Sequence, residues 1–164
     1  MAELLDVVDE DDKVIGKATY SECKSDPRKI VRVVHVFIFN RKGDMLLQKR
    51  TRNVGSYPEL WTSAVSGHVR AGEGYTKAAL RELREELGIR TALKFMGKLN
   101  KRIRNDNQNM ALFAGFHDGP FRPNRHEIQK VAFFPRDAVA RKIRSDKAMF
   151  TPGFLIAFKA FFSK

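Results

Sequence analysis

Residues 67–89 read GHVRAGEGYTKAALRELREELGI, and the second half of this stretch decides the fold. From residue 76 to residue 87 nearly every amino acid is a good helix former. Thr76 is of a type that caps helix N-termini, and Gly88 is of the type that most often follows a helix C-terminus. The stretch therefore predicts a helix over residues 76–87 that starts at its threonine and ends before its glycine.

The apolar residues of this predicted helix fall on one side. Leu80, Leu83 and Leu87 recur at spacings of three and four residues, which places them on one stripe of a helix surface. A stripe of this kind needs an apolar partner, so we expect all three leucines to pack on a sheet.

The same helix carries three acidic residues that we call the helix glutamates: Glu82, Glu85 and Glu86. Their spacing of three and four residues projects them within about a 100° sector, and like charges so placed cost roughly 0.2–0.5 kcal/mol per pair. A divalent ion such as Mg²⁺ or Mn²⁺, which prefers oxygen ligands, would remove that conflict. The spacing alone equally fits a solvated face neutralised by Arg81 and Arg84.

The wider stretch resembles the Nudix box. Its pattern is Gly, five residues, Glu, seven residues, Arg-Glu, a hydrophobic residue, any residue, Glu-Glu, any residue, Gly and a hydrophobic residue, and residues 67–89 match every fixed position. The resemblance implies a Nudix hydrolase, an enzyme that cuts a diphosphate linkage with the help of Mg²⁺ or Mn²⁺. It also implies an α+β protein with the Nudix fold, an α/β/α sandwich around a mixed β-sheet.

Roles for individual residues follow from the resemblance. The helix glutamates are expected to bind the metal, helped by the carbonyl of Gly67. Glu73 is expected to pair with Arg81 and hold the loop before the helix in place. Glu85 or Glu86 is the nearest candidate for the general base that activates water. Glu127 is a further candidate, although it fits a surface glutamate at least as well.

Three residues outside the helix are candidates for substrate binding. Arg50 and Arg52 lead into an irregular segment, and a guanidinium matches two phosphate oxygens, although a solvated pair is about equally expected. His68 is expected to bind a metal or a phosphate, or else to be an ordinary hydrogen-bonded loop histidine.

A segment ahead of the box, residues 48–68, is similar to type 1 isopentenyl diphosphate isomerases, which share the Nudix fold. Those enzymes protonate their substrate with a cysteine just before the Gly-His pair, and Ser66 stands at that position here. A serine hydroxyl is a far weaker acid than a thiol, so the isomerase reaction is disfavoured. The sequence resembles the isomerase-like branch of the hydrolases.

The rest of the sequence predicts strands before the helix and more helix at the end, which indicates an α+β fold. Trp61 is expected to be a core or loop-anchoring aromatic, with stacking on a base as the alternative, and the phenylalanines at 37, 39, 113 and 116 are expected in the core. Strands are expected at 4–8, 14–16, 30–40, 45–48, 95–103, 110–116 and 131–134, helices at 135–143 and 154–162, and a loop at 51–60.

Size and charge set the remaining expectations. A chain of 164 residues fits one domain, here a single Nudix domain over residues 1–164. The formal charge of +12 favours anionic partners, above all a nucleotide or another small diphosphate substrate. Four basic residues close together keep nucleic acid as an alternative, either for a decapping enzyme or for a binding protein, although a solvated face is the commoner explanation: Lys98, Lys101, Arg102 and Arg104.

The single cysteine, Cys23, excludes an intrachain disulfide and suits a reducing compartment. No membrane span or targeting segment is recognised, so a cytoplasmic protein with no membrane partner is expected. The sequence makes no prediction about the oligomeric state.

Overall fold

The structure, a computed structural model, describes residues 3–162. Its strands are β1 (Leu4–Val8), β2 (Val14–Thr19), β3 (Ile30–Phe39), β4 (Met45–Arg50), β5 (Trp61–Ser63), β6 (Val65–His68), β7 (Lys94–Ile103), β8 (Asp106–Phe116) and β9 (Ile128–Phe134). Its helices are α1 (Tyr20–Ser25), α2 (Tyr75–Leu87), α3 (Arg136–Asp146) and α4 (Pro152–Phe161), with a 3₁₀ turn at Lys147–Met149.

Strand β3 organises the sheet. It pairs antiparallel with β1, β4 and β6, and it pairs parallel with β8 in a continuous register from Val31 opposite Gln108 to Phe39 opposite Phe116. The sheet extends through β7 beside β8, and through β5 and β9 beside β4. The expected mixed sheet is therefore confirmed.

Alternate residues of β3 face two separate cores, as a pleated strand buried on both faces requires. Val34 and Val36 belong to a core that includes Leu83 of α2. Phe37 packs into the other core, together with Phe154 of α4. The helices thus cover both faces of the sheet, and the α+β class with its α/β/α sandwich is confirmed.

Helix α2 differs from the prediction at its start and in its buried face. It begins at Tyr75, one residue early, with Gly74 in the N-cap position and no side-chain cap. Gly88 ends it in the left-handed region, with φ of 67°, as its type predicts. Leu83 and Leu87 are fully buried, but Leu80 is 43% exposed, because it lies at the margin of a face centred nearer Leu83.

Other elements escaped prediction or lie elsewhere. Helix α1 and the short strands β5 and β6 were not expected, since runs of three to six residues with serine and glycine carry little strand or helix signal. Phe116 is 71% exposed rather than in the core, because it is the last residue of β8 and lies at the end of the sheet. Trp61 is half-buried and packs edge-on against Phe134, with ring centroids 5.5 Å apart. Among residues 3–162 no helix is long and apolar enough to cross a membrane.

A charged cluster ties the β1–β2 turn to the rest of the fold. Asp12 accepts hydrogen bonds from Arg32 (2.9 Å), Lys98 (2.6 Å), Asn109 (3.1 Å) and the Tyr75 hydroxyl (3.0 Å). Burial by itself would raise the pKa of Asp12, but the four donors outweigh it and lower the pKa from 3.8 to about 2. The ionised form is therefore favoured by folding.

We predict that Asp12→Asn lowers the free energy of unfolding by about 2 kcal/mol at neutral pH. Asparagine tolerates the left-handed backbone at this position, where φ is 65°, so the change removes charge without backbone strain. Because the pKa is lower in the folded state, this stabilisation is present above about pH 4 and disappears as the pH falls towards 2. Urea unfolding of both proteins across this range measures it, with exposed Asp11→Asn as control. A difference that does not vary with pH would contradict the assignment.

Candidate functional site

A cavity of about 830 Å³ lies on the face of β3 that carries Val31, Val33 and His35. Its walls come from β6, α1, the turn between β7 and β8, and residues 51–60, which we call the β4–β5 loop. Glu82 and Glu86 of α2 also line it, although α2 packs on the opposite face of the sheet. The two glutamates therefore reach the cavity around β6.

Gly67 leaves the space in which the side chain of Glu82 passes β6. It pairs with Val34, whose side chain faces α2, so a side chain at position 67 would face α2 as well. A Cβ atom at Gly67 would lie 2.5 Å from the Glu82 Cδ. Only the absence of a side chain lets the Glu82 carboxylate pass β6, which explains why glycine is required here.

Glu86 is buried in the wall of the cavity, at 4% exposure. Its Oε1 accepts a hydrogen bond of 3.0 Å from Gln48 Nε2, which is itself anchored on the carbonyl of Ala64. Its Oε2 is buried and has no hydrogen-bond partner among residues 3–162. Burial raises the pKa of Glu86 well above its usual value, and the charge of the adjacent Glu82 raises it further. An unpartnered buried carboxylate oxygen calls for an explanation, because it costs free energy.

Arg81 connects the acidic residues of the site. Its guanidinium donates two hydrogen bonds to Glu73, of 2.8 and 2.9 Å, and one of 3.1 Å to the carbonyl of His68. It also donates to Glu82 at 2.9 Å and to Glu85 at 3.1 Å. The hydrogen bonds that Arg81 donates to Glu73, together with Glu82, raise the pKa of Arg81 above its usual value despite burial. The loop before α2 is therefore locked to the helix.

The helix glutamates do not all converge. Glu85 is 44% exposed at its side chain, and Arg70 and Arg81 hold its carboxylate at 3.6 and 3.1 Å. Arg70 binds this carboxylate near the surface, whereas Arg81 Nη1 donates to both Glu85 and Glu82. Within residues 3–162 no group of three acidic, histidine or cysteine side chains is arranged to hold a metal ion as it stands. The convergence expected from the helix spacing is thus seen for two carboxylates of the three.

The buried pair nevertheless fits a divalent cation. Two carboxylates lie side by side with little solvent, and the Oε2 atom of Glu86 has no donor. Mg²⁺ and Mn²⁺ take oxygen ligands and are commonly held by a few carboxylates together with substrate phosphates. Glu82 and Glu86 could hold such an ion, and Gly67 lies in contact with Glu82.

Of the residues expected to bind substrate, Arg50 and His68 line the cavity, as does Glu127. Arg50 is half-buried and donates through Nε to the carbonyl of Ser56 at 3.1 Å. Burial lowers its pKa, against the charges of Glu86 and Glu127. Burial likewise lowers the pKa of His68. Arg52 is exposed and is not among the cavity residues, so the structure does not bring it to the site.

The four basic residues between positions 98 and 104, for which one solvated face was expected, do not all lie on the same face of the protein. Lys101 is 3% exposed and forms an ion pair with Asp106, whereas Arg102 and Arg104 are exposed. Alternation along β7 sends successive side chains to opposite faces, which the charge count alone did not reveal. Asp106 and Tyr57 are cavity residues that the sequence did not single out, and Lys101 is a cavity residue that the sequence assigned only to the basic run.

Comparisons with known proteins agree with this architecture. A family model described as the NUDIX domain matches residues 29–154. The chain is 34% identical over 145 residues to an uncharacterized Nudix hydrolase of Pseudomonas aeruginosa, covering 88% of this chain and 85% of that protein. It is 28% identical over 154 residues to an isopentenyl-diphosphate Delta-isomerase of Nocardia farcinica, covering 90% and 88%. A crystal structure from Deinococcus radiodurans shares the fold, with a TM-score of 0.83 and 23% identity over 97% of this chain and 99% of that one.

Proposed function

Since this chain belongs to the Nudix family, we propose that it hydrolyses a diphosphate linkage in a nucleoside diphosphate-type substrate with the help of a divalent metal ion. The observation that carries the proposal is the buried oxygen Oε2 of Glu86, which has no hydrogen-bond partner among residues 3–162 and lies beside Glu82. A cation between these carboxylates removes both the repulsion and the unpartnered acceptor.

The ion is Mg²⁺ or Mn²⁺ in this proposal, since the ligand set consists of hard oxygen atoms. Glu82 and Glu86 hold it, with the Gly67 carbonyl and the more exposed Glu85 as further ligands. When bound, the ion polarises the diphosphate and lowers the pKa of an attacking water.

The surrounding residues position these ligands. Gln48 fixes the rotation of the Glu86 carboxylate by donating to Oε1. Arg81 holds Glu82 and Glu85, and Glu73 holds Arg81 by two parallel hydrogen bonds. Such supporting contacts tune the ligands as strongly as ligand identity does.

Arg50 is the candidate for binding the diphosphate. Its Nε donates to the Ser56 carbonyl, so its two terminal nitrogens are available to a ligand, and Arg50 lines the same cavity as Glu86. Phosphate oxygens offer acceptors that suit both of these nitrogens. His68, which has its pKa lowered by burial, is a neutral hydrogen-bonding partner for the substrate in this proposal.

We favour Glu127 as the general base. Glu85 forms ion pairs with Arg70 and Arg81, and Glu86 is taken up with the metal ion in this proposal. Glu127 is exposed, lines the cavity and lies near enough to Arg50 and Glu86 to influence their pKa values. Glu85 and Glu86 remain the alternatives for this role.

The test is chromatographic detection of the cleavage products of nucleoside diphosphates and triphosphates, dinucleoside polyphosphates, NADH, nucleotide sugars and capped RNA, because hydrolysis of NADH or of a nucleotide sugar gives two phosphomonoesters and no free phosphate. We expect at least one of these compounds to be hydrolysed in the presence of Mg²⁺ or Mn²⁺, and none after the metal is chelated. The proposed metal ligands do not bind the substrate phosphates themselves, so the reaction needs the ion. Turnover that persists in excess chelator would contradict the proposal, as would silence across the whole panel.

The isomerase reaction is the second candidate, because part of the chain's similarity is to isopentenyl-diphosphate isomerases. Against it, Ser66 lines the cavity at the position where those enzymes use a cysteine. Isomerisation of isopentenyl diphosphate without phosphate release would support this candidate over hydrolysis.

A further inference from the structure

A second group of polar side chains lies in the same cavity, away from α2. Lys101 comes from β7, Asp106 begins β8, and Tyr57 comes from the β4–β5 loop. None of them contacts the helix glutamates in the structure of residues 3–162. We call these three residues the Lys101 cluster.

The cluster is tightly hydrogen-bonded at one atom. Lys101 Nζ donates to Asp106 Oδ2 at 2.6 Å, and the Tyr57 hydroxyl donates to the same oxygen at 2.5 Å. The Lys101 ammonium also lies 5.5 Å from the centroid of the Tyr57 ring. Both hydrogen bonds use Oδ2, and no hydrogen bond to Oδ1 is found among residues 3–162.

The Lys101 cluster costs free energy if its role is only to stabilise the fold. Lys101 is only 3% exposed, and burial lowers its pKa against the opposing effect of Asp106. Its ammonium has three N–H donors, of which the structure of residues 3–162 uses one in a hydrogen bond. A buried ion pair with unused donors is less stable than apolar side chains of the same volume. The unused donors of Lys101 and the Oδ1 acceptor of Asp106 are therefore available to a ligand in the cavity.

The charges of the cluster identify the kind of ligand. Lys101 and Asp106 cancel, so the cluster as a whole is neutral, while the basic residues Lys24 and Arg104 are exposed at the rim. A phosphate gains little from a neutral pair, since binding of an anion requires net positive potential. A hydrocarbon chain would leave the buried N–H donors and the carboxylate oxygen without partners. An uncharged group with both donors and acceptors satisfies each of them.

We propose that Lys101, Asp106 and Tyr57 form a specificity subsite that receives an uncharged, hydrogen-bonding part of the substrate, such as the edge of a base or the hydroxyls of a sugar. The inference rests on the proposed function and deepens it, because it places the diphosphate near α2 and the attached group near Lys101. A cavity of about 830 Å³ is within the size range of small-molecule sites and holds both parts.

The subsite is tested without metal and without turnover. Uncharged ribonucleosides, their free bases, ribose, inorganic pyrophosphate and isopentenyl diphosphate are titrated into the full chain, and affinity is followed by NMR. We expect an uncharged probe to bind, and Asp106→Asn to weaken its binding about tenfold or more. Pyrophosphate affinity should change less than twofold, because its site is elsewhere. Competition by ribose or by a free base identifies which group the subsite receives.

Two further variants make the result decisive. The double variant Lys101→Met/Asp106→Asn keeps the volume and removes the buried charge, so it tests the subsite even if Asp106→Asn folds poorly. Asp137→Asn, an exposed change at the start of α3, is the matched control and should bind like the wild type. The proposal is overturned if no uncharged probe binds, if the variants bind as well as wild type, or if pyrophosphate affinity falls equally. None of these outcomes depends on hydrolysis, so a failure here differs from a failure of the proposed function.

Discussion

Replacing Glu86 by glutamine is expected to abolish most of the hydrolytic activity while leaving the fold intact or slightly more stable. The amide oxygen of the new side chain still accepts the hydrogen bond from Gln48, so the packing is preserved. The variant loses a buried negative charge beside Glu82, which relieves repulsion. It also loses an anionic metal ligand, so we expect kcat to fall by about a hundredfold or more.

Glu86→Gln is informative because its activity is expected to fall while its stability is expected to stay the same or to rise. A residue that only supports the core would lose both together. Steady-state kinetics and thermal melting of Glu86→Gln measure the two effects side by side. Glu10→Gln is the matched control, because Glu10 is an exposed glutamate in the β1–β2 turn. Activity within a factor of two of the wild type in Glu86→Gln would remove Glu86 from the mechanism.

Arg81→Gln is expected to be the most destabilising substitution in the site. The side chains of Arg81, Glu73 and Glu82 are 9%, 8% and 13% exposed, so removal of the guanidinium leaves two nearly buried carboxylates without their counterion. Breaking a buried ion pair from one side costs about 3–5 kcal/mol. We expect a loss of this size in the free energy of unfolding, measured by urea denaturation.

Arg84→Gln provides the matched control on the same helix. Arg84 is exposed, and such surface changes usually alter stability by less than about 0.5 kcal/mol. If Arg81→Gln and Arg84→Gln were equally stable, the network around Arg81 would have no structural role. Full stability of Arg81→Gln with lost activity would instead make Arg81 a substrate-binding residue.

The sequence predicted the parts of this protein that depend on local signals. Helix α2 and its end at Gly88 follow from helix propensity and from the backbone freedom of glycine. The buried faces of β3 follow from its run of apolar residues. The family resemblance supplied the roles of the acidic residues, which local propensity does not contain.

Contacts between distant segments could not be predicted in the same way. Helical spacing places Glu85 beside Glu86, but it does not reveal that Arg70, from outside the helix, lies 3.6 Å from the Glu85 carboxylate. Lys101 belongs to a basic run in the sequence, yet strand alternation and the partner Asp106 bury it. Arg50 and Arg52 look equivalent in sequence, and only the fold of the β4–β5 loop separates the cavity residue from the exposed one.

The fold explains how a helix on one face of the sheet serves a cavity on the other. Because Gly67 has no side chain, the Glu82 side chain can pass β6, and Gln48 of β4 donates a hydrogen bond to the buried Glu86. The rigid sheet therefore fixes two carboxylates from a helix against one wall of the cavity. Lys101 and Tyr57 are among the other residues that line this cavity.

The most direct test of the central claim, that Glu82 and Glu86 hold a divalent ion, is a titration of Mn²⁺ into the wild type and Glu86→Gln by electron paramagnetic resonance. We expect the wild type to bind Mn²⁺ and Glu86→Gln to bind it at least about tenfold more weakly, while Glu10→Gln matches the wild type. Equal Mn²⁺ affinity in the wild type and Glu86→Gln would contradict it.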